Sequence, residues 1–157
     1  LRERGITSFS EAELVDLNRV WQRLQPWPDT IPGLQRLKRR YTLATLSNAD
    51  MAALVRMAKY SNLPWDVILA AELAQTFKPD PKVYQVASRY LGFKPNEILM
   101  VACHKYDLRG AKAQGFRTAF VARPLEFGPS GRVDTQFEPE FDLNVASFVE
   151  LADKLGV

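Results

Sequence analysis

Ile98-Leu99-Met100-Val101-Ala102, running directly into Cys103-His104-Lys105-Tyr106-Asp107, is the stretch on which the fold turns. Five consecutive apolar residues that stop at a polar segment read as a strand buried on both faces. Residues 107–114 then carry a helical pattern, and Gly115 stands where a helix commonly closes in a left-handed turn. Residues 118–122, Thr-Ala-Phe-Val-Ala, form the next apolar run. Strand, helix and strand in succession make a βαβ unit, whose strands lie parallel.

The same alternation extends in both directions. Upstream, 31–40 reads as a short helix and 41–46, Tyr-Thr-Leu-Ala-Thr-Leu, as a buried strand. Met51, Leu54, Val55 and Ala58 give a helix over 49–60, with Asn48 as its expected cap. Residues 66–71 form a second strand-like run, and Asp80-Pro81 cap and start a helix with Val83, Val86, Ala87, Tyr90 and Leu91 inward. Downstream, a Pro/Gly-rich loop over 123–140 leads to a short strand near 141–145 and a last helix to Leu155. At the other end, Ser10 and Glu13 form a capping box. Leu14, Leu17, Val20, Trp21 and Leu24 recur at helical spacing behind it, so 11–24 reads as an amphipathic helix stopped by Pro26 and Pro28. The expected fold is α/β: a Rossmann-like parallel sheet flanked by helices, with residues 1–26 distinct from a main unit over 27–157.

Composition narrows the function classes. Of 157 residues, 46% are apolar and 25% charged, the balance of an ordinary globular protein. A net charge of +3 is too mild to argue for nucleic acid, and the cluster Arg36, Lys38, Arg39, Arg40 falls at a helix end, where cations complement the dipole. A single cysteine excludes an intrachain disulfide and fits a reducing, cytoplasmic setting. No apolar run approaches the roughly 20 residues needed to span a bilayer.

In parallel sheets, ligands bind beyond the carboxyl ends of the strands. Three such ends carry chemistry. Ser47-Asn48 offers a hydroxyl, an amide and the N–H groups of an opening helix, suited to an anion, although Asn48 equally reads as a plain cap. Lys78 precedes Pro79, which biases its backbone toward an extended form. Its ammonium would hold a neighbouring carboxylate ionised, and a solvated loop lysine is the plainer alternative. The third end places Cys103, His104 and Asp107 together. A Cys–His pair or a metal site is one reading of them. The other is a buried thiol, a backbone-bonded imidazole and a helix-capping aspartate.

Taken together, these three ends resemble the haloacid dehalogenase superfamily. Ser47-Asn48 is similar to its second motif, Lys78-Pro79 to its third and Asp107 to the acid of its fourth. The resemblance runs from about Trp27 to the end of the chain, most specifically over 44–50, 77–84 and 101–115. The phosphatases of that superfamily carry Gly-Asp-x-x-x-Asp in the fourth motif and bind magnesium. Here Cys103 stands at the first carboxylate's place, and a thiol is a poor ligand for a hard cation. The chain looks most like the 2-haloacid dehalogenases, which need no metal and carry a tyrosine where Tyr84 stands.

That resemblance implies hydrolytic dehalogenation of short 2-haloalkanoic acids through an aspartyl ester. It implies a small-molecule substrate, no cofactor or metal, and neither nucleic acid nor membrane as partner; a homodimer is compatible with it. Lys78 would hold the nucleophile anionic, and Ser47 would bind the substrate or nucleophile carboxylate. Asn48 would donate to the departing halide. Asp107 would anchor Lys78 and the hydrolytic water, while Tyr84 and His104 shape the pocket. Two features depart from the pattern. The fourth motif commonly reads Ser-x-Asn-x-x-Asp, where this chain has Ala102 and His104. The nucleophile, expected in a hydrophobic run ending Asp-x-x-Gly-Thr, has no counterpart in the sequence. In family order it would precede Leu1, with residues 1–26 as the tail of a helical cap. The expectation is therefore a fragment that is inactive alone. A magnesium-dependent phosphatase and a non-catalytic domain are the alternatives.

Overall fold

A computed structural model describes residues 5, 6 and 8–157; the start of the 1–26 segment, residues 1–4 and 7, lies outside the described residues. Strands β1 (Leu99–Ala102), β2 (Arg117–Val121) and β3 (Leu143–Val145) form a parallel sheet in the order β1-β2-β3. The 98–102, 118–122 and 141–145 runs are thus strands, trimmed or shifted at their ends. Helices α1 (Glu11–Asn18), α2 (Thr30–Leu37), α3 (Met51–Tyr60), α4 (Pro81–Leu91), α5 (Lys105–Ala113) and α6 (Phe148–Lys154), with 3-10 turns at Val20–Arg23, Ala71–Ala74 and Pro95–Glu97, make up the rest of the regular structure among the described residues.

Successive side chains of a strand point to opposite faces, and β2 divides its residues between two cores accordingly. Phe120 joins Tyr84, Val86 and Ala87 of α4, Leu108 and Ala111 of α5, Met100 and Phe141. Ala119 and Val121 join Leu34 and Leu37 of α2, Val145, and Leu151 and Ala152 of α6. Helices therefore cover both faces. Helices α2 and α6 meet closely at Gly33, where a Cβ would lie 2.4 Å from Phe148 Cβ. Beside that contact, Arg123 grips Asp29 through two hydrogen bonds of 2.9 and 3.0 Å, and Asp29 also accepts from Phe148 N at 2.7 Å. These contacts tie the end of β2 to the starts of α2 and α6.

Residues 41–46, expected parallel to this sheet apart from a strand missing between them and β1, do not pair with β1 itself. They run extended and pair in parallel with the 66–71 segment through single bridges, Ala44 with Val67 and Ser47 with Ala70. The Thr45 hydroxyl interrupts a regular ladder: it accepts from Leu69 N at 3.0 Å and donates to Leu69 O at 2.8 Å. Between this pair of segments and β1 lies a cleft of about 1300 Å³, bordered by 41–47 on one side and 96–104 on the other.

Two local expectations are also corrected. The 11–24 helix ends at Asn18 and continues as a 3-10 turn, Val20–Arg23, which leaves Trp21 68% exposed. Its capping box is present, with Ser10 N donating to Glu13 at 2.8 Å. Helix α3 is capped by Asp50, whose carboxylate accepts from Ala53 N at 2.7 Å. Asn48, two residues earlier, is left for another task.

Candidate active site

That task is to hold Lys78. Asn48 Oδ1 accepts from Lys78 N at 2.7 Å, and Asn48 Nδ2 donates to Lys78 O at 3.3 Å. The amide thus spans the lysine's main chain at the cis Lys78–Pro79 bond. The side chain then reaches across to α5, where its ammonium forms an ion pair with Asp107 Oδ2. Both partners are largely withdrawn from solvent, with side chains 11% and 5% exposed. A carboxylate can be buried this way only if its oxygens are hydrogen-bonded. Asp107's second oxygen accepts from the Tyr84 hydroxyl at 2.8 Å. Burial, then the Asp107 carboxylate, pushes the Tyr84 phenol above its usual range, so it remains a donor.

Asp107 does not cap α5. The helix starts at Lys105 with His104 at the cap position, and Asp107 occupies the first turn facing inward. This placement, one turn beyond β1, sets the acid beside the end of the strand. Ser47 follows the 41–46 segment as Asp107 follows β1. Ser47, Lys78, His104 and Asp107 all line the one cleft, and Tyr84 lies beneath it, fully buried.

His104 has a partner that local spacing does not reveal. Its Nε2 lies 2.7 Å from Glu126 Oε1, and its ring stacks on Tyr106. Cys103 Sγ donates to the other oxygen of Glu126 at 3.9 Å. Glu126 belongs to the 123–140 loop, and nothing in the sequence singles it out there. The same loop is pinned by Lys105, which bonds Asp134 at 2.8 Å and Glu138 at 2.7 Å, and by Arg109, which bonds Glu138 and Glu140. The donor set near Asp107 does not suit magnesium, since position 103 presents sulfur where a hard cation asks for oxygen.

Comparison with known proteins gives the family. The family model for haloacid dehalogenase-like hydrolases matches residues 1–115, and the chain belongs to that family of hydrolases. Within it, the curated relatives at 30% identity or more are (S)-2-haloacid dehalogenases. The chain is 36% identical over 121 residues to (S)-2-haloacid dehalogenase 4A of Burkholderia cepacia, a match covering 72% of this chain and 52% of that protein. It therefore spans about half the length of the curated relative. Among solved structures, the L-2-haloacid dehalogenase PA0810 superposes with a TM-score of 0.93 at 43% identity, over 98% of this chain and 67% of that one. The defluorinating L-2-haloacid dehalogenase Rha0230 gives 0.94 at 39% identity, over 100% and 65%.

Proposed function

We propose that the protein containing this chain hydrolyses the carbon–halogen bond of short 2-haloalkanoic acids. The observation that carries this reading is the Lys78 ammonium, paired with Asp107 at the wall of the cleft while Asn48 clamps the lysine's main chain. A carboxylate nucleophile, supplied from sequence outside residues 1–157, occupies the cleft between residues 41–47 and β1. One of its oxygens attacks C2, and the C2–halogen bond breaks with its electron pair leaving as halide. Water then adds to the carbonyl of the resulting ester and cleaves the acyl C–O bond. That step releases a 2-hydroxyalkanoate and a proton and restores the carboxylate.

Each residue has a part in this scheme. Lys78 keeps the nucleophile ionised, because a cation within a few ångströms favours the charged form. Asp107 holds Lys78 in place and orients the hydrolytic water. The Ser47 hydroxyl binds a carboxylate. Asn48 uses one amide hydrogen on Lys78 O and directs the other to the departing halide. Tyr84 fixes Asp107 from below, and His104 borders the substrate. The described part of residues 1–26 serves as the end of a helical cap, joined to the end of α3 where Ser61 Oγ donates to Leu24 O at 3.1 Å. The protein acts in the cytoplasm on a small molecule.

The test is halide release from 2-chloropropionate by the natural full-length protein, with and without a chelator. Release that survives the chelator and disappears in Lys78→Ala supports the proposal. Chelator-sensitive release of phosphate from a phosphomonoester, without halide release, would overturn it in favour of a phosphatase.

A further inference from the structure

We infer that Cys103, His104 and Glu126 form a binding site for a thiophilic divalent cation such as Zn²⁺, beside the Lys78–Asp107 ion pair, with Cys103 and His104 facing the same cleft. One ligand atom from each residue lies within 4.8 Å of the others, and all three side chains are partly buried. Zinc binds sulfur at about 2.3 Å and nitrogen or oxygen at about 2.0–2.2 Å, so ligand atoms on a tetrahedron stand roughly 3.2–3.8 Å apart. The separations from the two Glu126 oxygens, 2.7 Å from Oε1 to His104 Nε2 and 3.9 Å from Oε2 to Cys103 Sγ, fall on either side of that range.

Charge balance also fits. Loss of the thiol proton leaves a thiolate and a carboxylate, whose two negative charges neutralise one divalent cation. The imidazole binds neutral, with its proton on Nδ1 rather than Nε2, and the thiol proton passes to solvent. The neighbouring cations do not oppose this. Lys105 is occupied by Asp134 and Glu138, Arg109 by Glu138 and Glu140, and Arg123 by Asp29. Arg132 lines the same small pocket of about 230 Å³, on the side open to solvent, where water would complete the coordination.

The ligand chemistry separates this site from a magnesium centre. Sulfur and imidazole select zinc, cobalt or copper over magnesium. The arrangement joins the end of β1 to the 123–140 loop, and His104 and Cys103 also face the large cleft. A bound ion would fix that loop and narrow the cleft's entrance. The inference does not depend on the dehalogenase reading.

The probe is Co²⁺, whose thiolate complexes absorb in the near ultraviolet, titrated into the reduced full-length protein and displaced with Zn²⁺. We expect one equivalent bound, with a sulfur-to-cobalt band, and no competition from excess Mg²⁺. Cys103→Ser should remove the band, and both Cys103→Ser and Glu126→Gln should weaken Zn²⁺ binding by about tenfold or more. Circular dichroism identifies a variant that has not folded, and if Cys103→Ser fails, the affinity of Glu126→Gln decides. Absence of a sulfur-to-cobalt band in the wild type would overturn the proposal. So would Zn²⁺ affinity unchanged in the folded variants, which would put the ion elsewhere.

Discussion

Gly110 lies directly over the Tyr84 hydroxyl: a Cβ at position 110 would stand 2.5 Å from Tyr84 Oη and 3.1 Å from Pro79 Cβ. Helix α5 can approach Tyr84 this closely only because residue 110 has no side chain. That approach lets Tyr84 reach Asp107 and places Asp107 before Lys78. Gly110→Ala must push the buried phenol aside, and overpacking of this kind costs about 1–3 kcal/mol. Urea unfolding should show that loss. In the full-length enzyme, halide release should fall more than the melting temperature alone would suggest.

The Lys78–Asp107 pair gives a second prediction. Removing one member of a buried ion pair leaves the other uncompensated, at a cost of about 3–5 kcal/mol. Lys78→Met should therefore destabilise the fold strongly, and Lys78→Met with Asp107→Asn should recover much of that loss. The double-mutant cycle in urea measures the coupling. Equal, additive losses would show that the pair does not interact as placed. Neither the single nor the double variant should release halide.

How far the sequence announced these contacts depends on their range. The Lys78 and Asp107 motifs are legible because each sits at a strand end with its own local signal: Pro79 in one case, an apolar run in the other. The βαβ unit from β1 to β2 is legible for the same reason, since its period changes from continuous apolar to helical and back. Asn48 shows the limit. Its position before a helix reads as a cap, yet Asp50 takes that role and leaves Asn48 to clamp Lys78. Glu126 is invisible because it meets His104 only when the loop folds back over β1. The 41–46 run has the composition of a strand and pairs with 66–71, but only through single bridges, because the Thr45 hydroxyl takes up Leu69's main-chain groups. The edge of β1 that faces it is separated from it by the cleft.

Acid should unpick the corner where β2, α2 and α6 meet. Burial opposes the ionised form of Asp29, but hydrogen bonds from Arg123 and Phe148 outweigh it and hold its carboxyl below the usual range. A group whose folded pKa is depressed contributes stability above its unfolded value, about 3.9 for aspartate, and loses it as pH falls through the folded value. Unfolding free energy should therefore drop below about pH 4. Asp29→Asn should be less stable at neutral pH and should flatten that part of the curve. An unchanged pH profile in Asp29→Asn would show that other carboxylates govern it.

The last prediction concerns β1 itself. Its partner in the sheet is β2, and its other edge borders the cleft, so its backbone groups on that side face the cavity rather than a neighbouring strand. Unpaired strand edges attract further strands and promote aggregation. The 157 residues expressed alone should accordingly associate at micromolar concentration and release no halide, because the proposed nucleophile is not among them. The same residues within a longer protein that supplies the proposed nucleophile should run as a discrete species on gel filtration. They should release halide from 2-chloropropionate in the presence of a chelator. Both arms are read by one halide assay and one sizing column. Halide release by residues 1–157 alone would show that a carboxylate within them is the nucleophile, and Asp107→Asn would then be the first variant to make.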